Sequence, residues 1–164
     1  MDIGLIKLFV FDFDGVLTDN LVYVSSEPGI EFVKCNRSDG LAFDAIRKIG
    51  IKTIILSSEK NPVVLNRANK LQIQALTGSK DKVASLDEIL KNLSLNYDDV
   101  FYIGNDINDL NVMLKCKYSA CPSDSNALIK EKASFVLESR GGDGVFREIL
   151  ENIFQVDIHS ILYK

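Results

Sequence analysis

The chain has 164 residues, 46% hydrophobic and 26% charged, the balance of one soluble globular domain able to bury a substantial core. A net charge of −4 with no basic cluster argues against nucleic acid or an anionic membrane surface as partner. The single histidine, His159, lies near the C-terminus, which leaves Ser-His-Asp and Cys-His catalysis without a base and excludes His-rich zinc sites.

In chain order, the run Leu8 to Phe11 is short, apolar and without alternation, as expected of a parallel strand covered on both faces. FDFDGVLTDN follows, and then LVYVSSEPGIEFVK, two β-type runs around a Ser-Ser-Glu-Pro-Gly turn. These predict a projecting hairpin within residues 16–34. A helix is expected from near Asp39, with Leu41, Ala45, Ile46 and Ile49 on one face and Gly50 as its stop signal. Thr53 to Leu56 predicts a second strand, and Pro62 marks the first turn of the helix after it. Ile73 to Leu76 is a weaker strand signal. Val83, Leu86, Leu90 and Leu93 form another helical stripe. Val100 to Ile103, Tyr118 to Cys121 and Phe135 to Leu137 predict the remaining strands, and Val145, Phe146, Ile149, Leu150 and Ile153 a final amphipathic helix. Strand and helix in turn mean one α/β domain over 1–164, a doubly wound, Rossmann-like parallel sheet with helices on both faces. The tail residues Phe154, Val156, Ile158, Ile161 and Leu162 are too apolar for a free end and are expected to dock, on this chain or on a neighbour. Cys35, Cys116 and Cys121, without a CxxC, read as reduced thiols. With no signal-peptide pattern and no bilayer-length apolar run, the expectation is a cytoplasmic protein.

Asp12 and Asp14 stand at the mouth of the first strand, where a carboxylate is costly unless it finds a partner. In open α/β sheets the ligand site lies beyond the carboxyl ends of the strands. That edge receives Ser57 and Ser58 from ILSSEK, and Asn105, Asp106 and Asp109 from FYIGNDINDL. The helix opening at GSKDKVASL adds Lys80 and Lys82. Acids, hydroxyls and lysines converging on one edge suggest a metal ion and a phosphate. Lys82 opposes its helix dipole, so it is either a solvated surface lysine or an amine paired with an anion in the crevice. Ser57 and Ser58 also suit helix capping, and Asp109 a cap or a solvated position.

The DxDGxxTD run, the strand-end Ser, the helix-opening Lys and the acidic GNDIND loop, in that order, resemble the haloacid dehalogenase superfamily of phosphohydrolases. The resemblance implies Asp12 as nucleophile, forming an aspartyl phosphate, and Asp14 as acid and then base. It implies Mg²⁺ held by Asp12, Asp14, Asn105 and Asp106, and a phosphoryl group held by Ser57, Ser58, Gly15 and Lys82. Many relatives carry Gly-Asp-Asp where this chain has Gly104-Asn105-Asp106, which removes one negative charge. Only a hairpin and a helix separate Asp14 from Ser57, and NRSDGLAFDAIRKIGI and SRGGDGVFREI resemble the capless subfamily acting on 2-keto-3-deoxy sugar acid phosphates as homotetramers. Ser58-Glu59 stands where octulosonate-8-phosphate phosphatases have Gly-Arg, so the resemblance points to a nine-carbon, sialic-acid-like 9-phosphate, with octulosonate 8-phosphate as the alternative. Glu59, Arg67 and Lys70 are then expected on the substrate, unless they form a solvated helix face, with Asn36, Arg37, Ser38 and Asp39 as further candidates. Asn105 leaves open a non-catalytic oligomerisation domain tied to a nucleotidyltransferase. A phospho-accepting receiver domain and a broad housekeeping phosphatase fit the same edge less well.

Overall fold

The computed structural model describes all residues, 1–164. Six parallel strands make one sheet in the order β5-β4-β1-β6-β7-β8: β1 (Leu8–Phe11), β4 (Lys52–Leu56), β5 (Gln74–Leu76), β6 (Val100–Ile103), β7 (Tyr118–Cys121) and β8 (Phe135–Val136). Every pairing in it is parallel, and β1 lies between β4 and β6. The chain therefore runs outward from β1 in one direction and then returns to run outward in the other. That reversal opens a crevice at the carboxyl ends of β1, β4 and β6.

Side chains alternate across β1 and β6. Phe9, Phe11, Phe101 and Ile103 enter the core beneath α1 (Ser38–Ile49), α2 (Pro62–Leu71), α6 (Val145–Glu148) and α7 (Ile158–Tyr163). Leu8, Val10, Val100 and Tyr102 enter the core beneath α3 (Lys82–Leu93), α4 (Ile107–Lys115) and α5 (Ala127–Lys132). Phe146 is an aromatic hinge of the first core, with ring centroids 4.7 Å from both Phe11 and Phe43. The predicted last helix holds only as far as Glu148; from Ile149 to Ile153 it widens into a π-helical turn, closed by Phe154 N–H on Ile149 O. The tail docks on its own chain. Phe154 and Ile158 are buried, and the Lys48 ammonium donates to the last carbonyls of α7, Ile161 and Leu162. His159 lies against Tyr163 in that helix. All three cysteines are free, and no helix is long and apolar enough to cross a membrane.

The hairpin has short paired strands: β2 (Tyr23–Val24) pairs antiparallel with β3 (Glu31–Phe32), and a single antiparallel bridge joins Thr18 to Cys35 at its base. Val16, Leu17 and Thr18 are buried, turned inward by three successive N–H bonds to Phe13 O. On the projecting part Tyr23, Val24 and Phe32 remain 60%, 76% and 60% exposed, so the hairpin buries no core of its own. Its anchor is polar: Asn61, which caps α2 through Val63 N–H, donates its Nδ2 to Glu31 at 2.7 Å.

Two expected substrate residues are drawn into the scaffold here. Ser38 donates to Asn36 Oδ1 through both N–H and Oγ, tying the start of α1. Asp39 is fully buried and accepts the N–H groups of Phe146 and Arg147, bolting α1 to the start of α6. Burial raises its carboxyl to about 6, against the opposing pull of those two N–H groups and of Arg67. Folded Asp39 thus keeps its proton where an unfolded Asp, at 3.8, has lost it. The native state binds more protons in that window, so this contribution to stability is present at low pH and is lost as pH rises through about 6. Asp39→Asn keeps the acceptor and removes the titration. In urea unfolding, its stability relative to wild type should rise by roughly 3 kcal/mol between about pH 3 and about pH 7.

Candidate active site

Three strand ends build the crevice. Asp12 continues β1, its N–H still in the ladder on Ile103 O at 2.8 Å, so the backbone of the sheet aims its carboxylate. Asp14 stands two residues further on and is half-buried. After β4, Ser57 is buried, and its Oγ accepts Glu59 N–H at 3.0 Å, which turns the chain so that Ser58 and Glu59 face the opening. After β6 come Asn105, buried, and Asp106, exposed. Asp12, Asp14, Ser57, Ser58, Glu59, Asn105 and Asp106 line a pocket of about 240 Å³ together with Asn20 and Asn108, and none of its residues is hydrophobic. A larger groove of about 530 Å³ opens along β5, but seven of its twelve lining residues are hydrophobic and Glu88 is its only ionisable one. The polar pocket is where charge collects.

Lys82 is not a solvated surface lysine. It is buried, with its ammonium 2.8 Å from Asp12 Oδ1 and 2.7 Å from Asp109 Oδ1. Asp81, accepting from Val83 and Ala84 N–H, caps the helix and offsets the unfavourable position of Lys82. Burial alone would lower the Lys82 pKa, but the two carboxylates outweigh it and the net shift is upward. Asp12 is pushed up, by burial first and by Asp109 second, against Lys82. Asp14 also moves up, through burial and the neighbouring Glu59 charge, with Lys82 opposing and Glu31 of the hairpin adding to the rise. An acid held above its usual range is suited to giving up a proton to a leaving group.

Asp109 is neither solvated nor a simple cap. It is fully buried, and its Oδ2 takes the N–H of Asn105 at 2.9 Å and of Asp106 at 3.4 Å, folding the acidic loop around itself. Asp106 places one oxygen on Ile107 N–H at 2.8 Å as the α4 cap, which leaves it less free for a metal than its charge suggests. Asn105 Oδ1, in contrast, is a buried acceptor with no donor. An orphaned carbonyl oxygen beside an acidic pair of raised pKa fits a hard cation such as Mg²⁺. The expected metal residues Asp12, Asp14, Asn105 and Asp106 line this one pocket, although no three His, Cys, Asp or Glu side chains in it are gathered into a closed cluster.

Gly15 differs from expectation. Its N–H is bonded within its own turn, to Thr18 Oγ1 at 3.2 Å, rather than facing a phosphate. Its part is to leave room: at φ +80 a Cβ would meet Asn105 Nδ2 at 2.0 Å. Gly141 does the same from the GGDG segment, where a Cβ would lie 2.3 Å from Gly15 O. Arg67 donates to Asn36 O at 2.7 Å, beside the hairpin base, and Lys70 is exposed on α2; neither lines the pocket. Residues that sequence reading missed are Asn20, Asn108 and Tyr102. The signal for Tyr102 was present, since a hydroxyl in an otherwise apolar strand must find a partner. Gly15→Ala should cut turnover by about 100-fold or more, through both the strained φ and the displaced Asn105, with folding retained by circular dichroism.

A model of the haloacid dehalogenase-like hydrolase family matches residues 43–149. The chain is 32% identical over 149 residues to the 3-deoxy-D-manno-octulosonate 8-phosphate phosphatase KdsC of Yersinia pestis, covering 90% of this chain and 79% of that protein. The Yersinia pestis phosphatase crystal structure superposes with a TM-score of 0.87 at 30% identity, covering 96% of this chain and 84% of that one. The corresponding enzyme of Moraxella catarrhalis, solved in complex with magnesium, phosphate and KDO, superposes with a TM-score of 0.87 at 29% identity, covering 92% and 86%. With Asp12, Asp14, Lys82 and the Asn105 loop gathered at the sheet's switch point, the chain belongs to the haloacid dehalogenase-like hydrolases and is a capless phosphatase of that family.

Proposed function

We propose that this protein is a Mg²⁺-dependent phosphomonoesterase acting on a 2-keto-3-deoxy sugar acid phosphate, with 3-deoxy-D-manno-octulosonate 8-phosphate as its substrate. The observation that carries the chemistry is Asp12, oriented by the β1–β6 ladder and ion-paired to buried Lys82 in a wholly polar pocket. The eight-carbon substrate rests on the relatives' activity, and it displaces the nine-carbon expectation drawn from Ser58-Glu59.

Asp12 Oδ1 is held by Lys82, which leaves Oδ2 to attack phosphorus as the bond to the sugar oxygen breaks. Asp14 gives its proton to that leaving oxygen. It then takes a proton from the water that attacks the aspartyl phosphate, and phosphate departs with Asp12 restored. Ser57, Ser58 and Lys82 meet the phosphoryl oxygens, where charge is spread in the transition state. Asp12, the Asp14 carbonyl and Asn105 Oδ1 would hold Mg²⁺, which when bound supplies positive charge to the phosphoryl oxygens and offsets the repulsion of the carboxylates.

In one chain the pocket carries acids at its rim and no exposed cation. A substrate bearing a carboxylate as well as a phosphate therefore needs further positive charge, for which Arg67 and Lys70 are candidates once copies assemble. The exposed Tyr23, Val24 and Phe32 support assembly through the hairpin, and we include a homotetramer in the proposal. Glu59 on the pocket lining favours a second reading, the nine-carbon 9-phosphate, whose extra hydroxyls could meet its carboxylate.

The test is phosphate release, with Mg²⁺, from octulosonate 8-phosphate, a nine-carbon keto-acid 9-phosphate and a hexose phosphate. Octulosonate phosphate should have the highest kcat/KM, and both Asp12→Asn and chelation of Mg²⁺ should reduce turnover by about 10³-fold or more. A preference for the nine-carbon acid would move the substrate to the second reading and leave the mechanism standing. No turnover of any of them by folded, Mg²⁺-supplied protein would overturn the catalytic reading in favour of a scaffold.

A further inference from the structure

Tyr102 has no role in the chemistry above, and it does not line the pocket. It is nevertheless fully buried, the one hydroxyl in the apolar strand β6. Alternation along the strand sends it, with Val100, toward α3 and α4, whose first turns carry Lys82 and Asp109. Its hydroxyl donates to Asp109 Oδ1 at 2.8 Å, the same oxygen that takes the Lys82 ammonium at 2.7 Å. Lys82 divides its attention between that oxygen and Asp12 Oδ1 at 2.8 Å. Asp109 is thus held from both sides, by the loop amides on Oδ2 and by two donors on Oδ1.

We propose that Tyr102 is a positioning residue of the phosphatase: its hydroxyl occupies part of Asp109 Oδ1, limits the hold of Asp109 on Lys82, and keeps the ammonium shared with Asp12, where the phosphoryl group is transferred. A hydrogen bond to one oxygen of a carboxylate spreads and stabilises its charge and weakens its pull on other donors. In a dry site no water replaces a lost donor. Removal of the hydroxyl leaves Asp109 Oδ1 with Lys82 alone, and the ammonium moves toward it and away from Asp12. Lys82 matters most when charge builds on the transferring group, so the loss falls on the transition state more than on the bound substrate.

The inference rests on the phosphatase reading for its kinetic arm, and a second arm stands without it. With p-nitrophenyl phosphate and Mg²⁺, Tyr102→Phe should lower kcat about tenfold and change KM less than about twofold. Ile129→Val, in the same core and without a hydrogen bond to Asp109 or Lys82, is the control for a merely looser interior and should leave kcat unchanged. The second arm is the side-chain ¹⁵N resonance of Lys82 in lysine-labelled, metal-free protein, assigned by its loss in Lys82→Arg. It should shift in Tyr102→Phe and stay in place in Ile129→Val. A kcat within about twofold of wild type, an equal loss in Ile129→Val, or an unmoved Lys82 resonance would each overturn the positioning role. If the wild type hydrolyses nothing, the phosphatase reading fails on its own, and the resonance alone then decides for or against Tyr102.

Discussion

Lys82 brings one positive charge to a place where two carboxylates are already buried, and the rest of the site is arranged around that shared charge. Asp12 and Asp109 both lie within 2.8 Å of its ammonium. Loss of the amine would leave two buried acids facing each other, and breaking such a buried group by removing one partner costs on the order of 3–5 kcal/mol. The desolvation of these charges is offset in part by further donors on Asp109, which takes two loop amides and a phenol. On the pocket lining, Asn105 Oδ1 is a buried acceptor left without a donor, and it marks where a cation fits. Structure and chemistry thus use the same ions.

The scaffold serves that arrangement through close backbone contact rather than large side chains. Gly15 admits Asn105, Gly141 admits Gly15 O, and Thr18 gathers the N–H groups of Gly15 and Asn20 on one hydroxyl. The GGDG segment therefore belongs to the site without touching its pocket. Its helix, α6, is tied in turn to α1 by Asp39, so the loop bearing Asp12 and Asp14 is braced by residues more than a hundred positions away. Precision of this kind is what turnover by positioning and charge requires.

The hairpin follows other rules. It leaves large apolar side chains in water and is joined to α2 by one exposed side-chain hydrogen bond. Its Glu31 nevertheless bears on Asp14 electrostatically. An element with so little support from its own chain is free to be shaped by what it meets, while the crevice beneath it stays rigid.

Much was legible in the sequence because the signals there are local. Unalternating apolar runs announced a parallel sheet covered on both faces, and four motifs at strand ends named Asp12, Asp14, Ser57, Lys82 and the Asn105 loop. Strand ends, caps and short motifs are set by residues a few positions apart, so a single chain displays them. Other outcomes depended on contacts between distant segments. Asp39 and Ser38 read as substrate residues, yet helix packing claimed them; Gly15 read as a donor, yet its turn closed on Thr18; Asp109 and Tyr102 acquired their parts only when β6, α3 and α4 met. By itself the sequence determined the fold class and the acid-and-lysine chemistry, through periodicity and strand-end composition. Which carboxylate holds Lys82, which oxygen stays open for a cation and which acids merely brace the frame were decided by tertiary structure, because the partner of a buried charge comes from whichever segment packing brings within hydrogen-bonding reach.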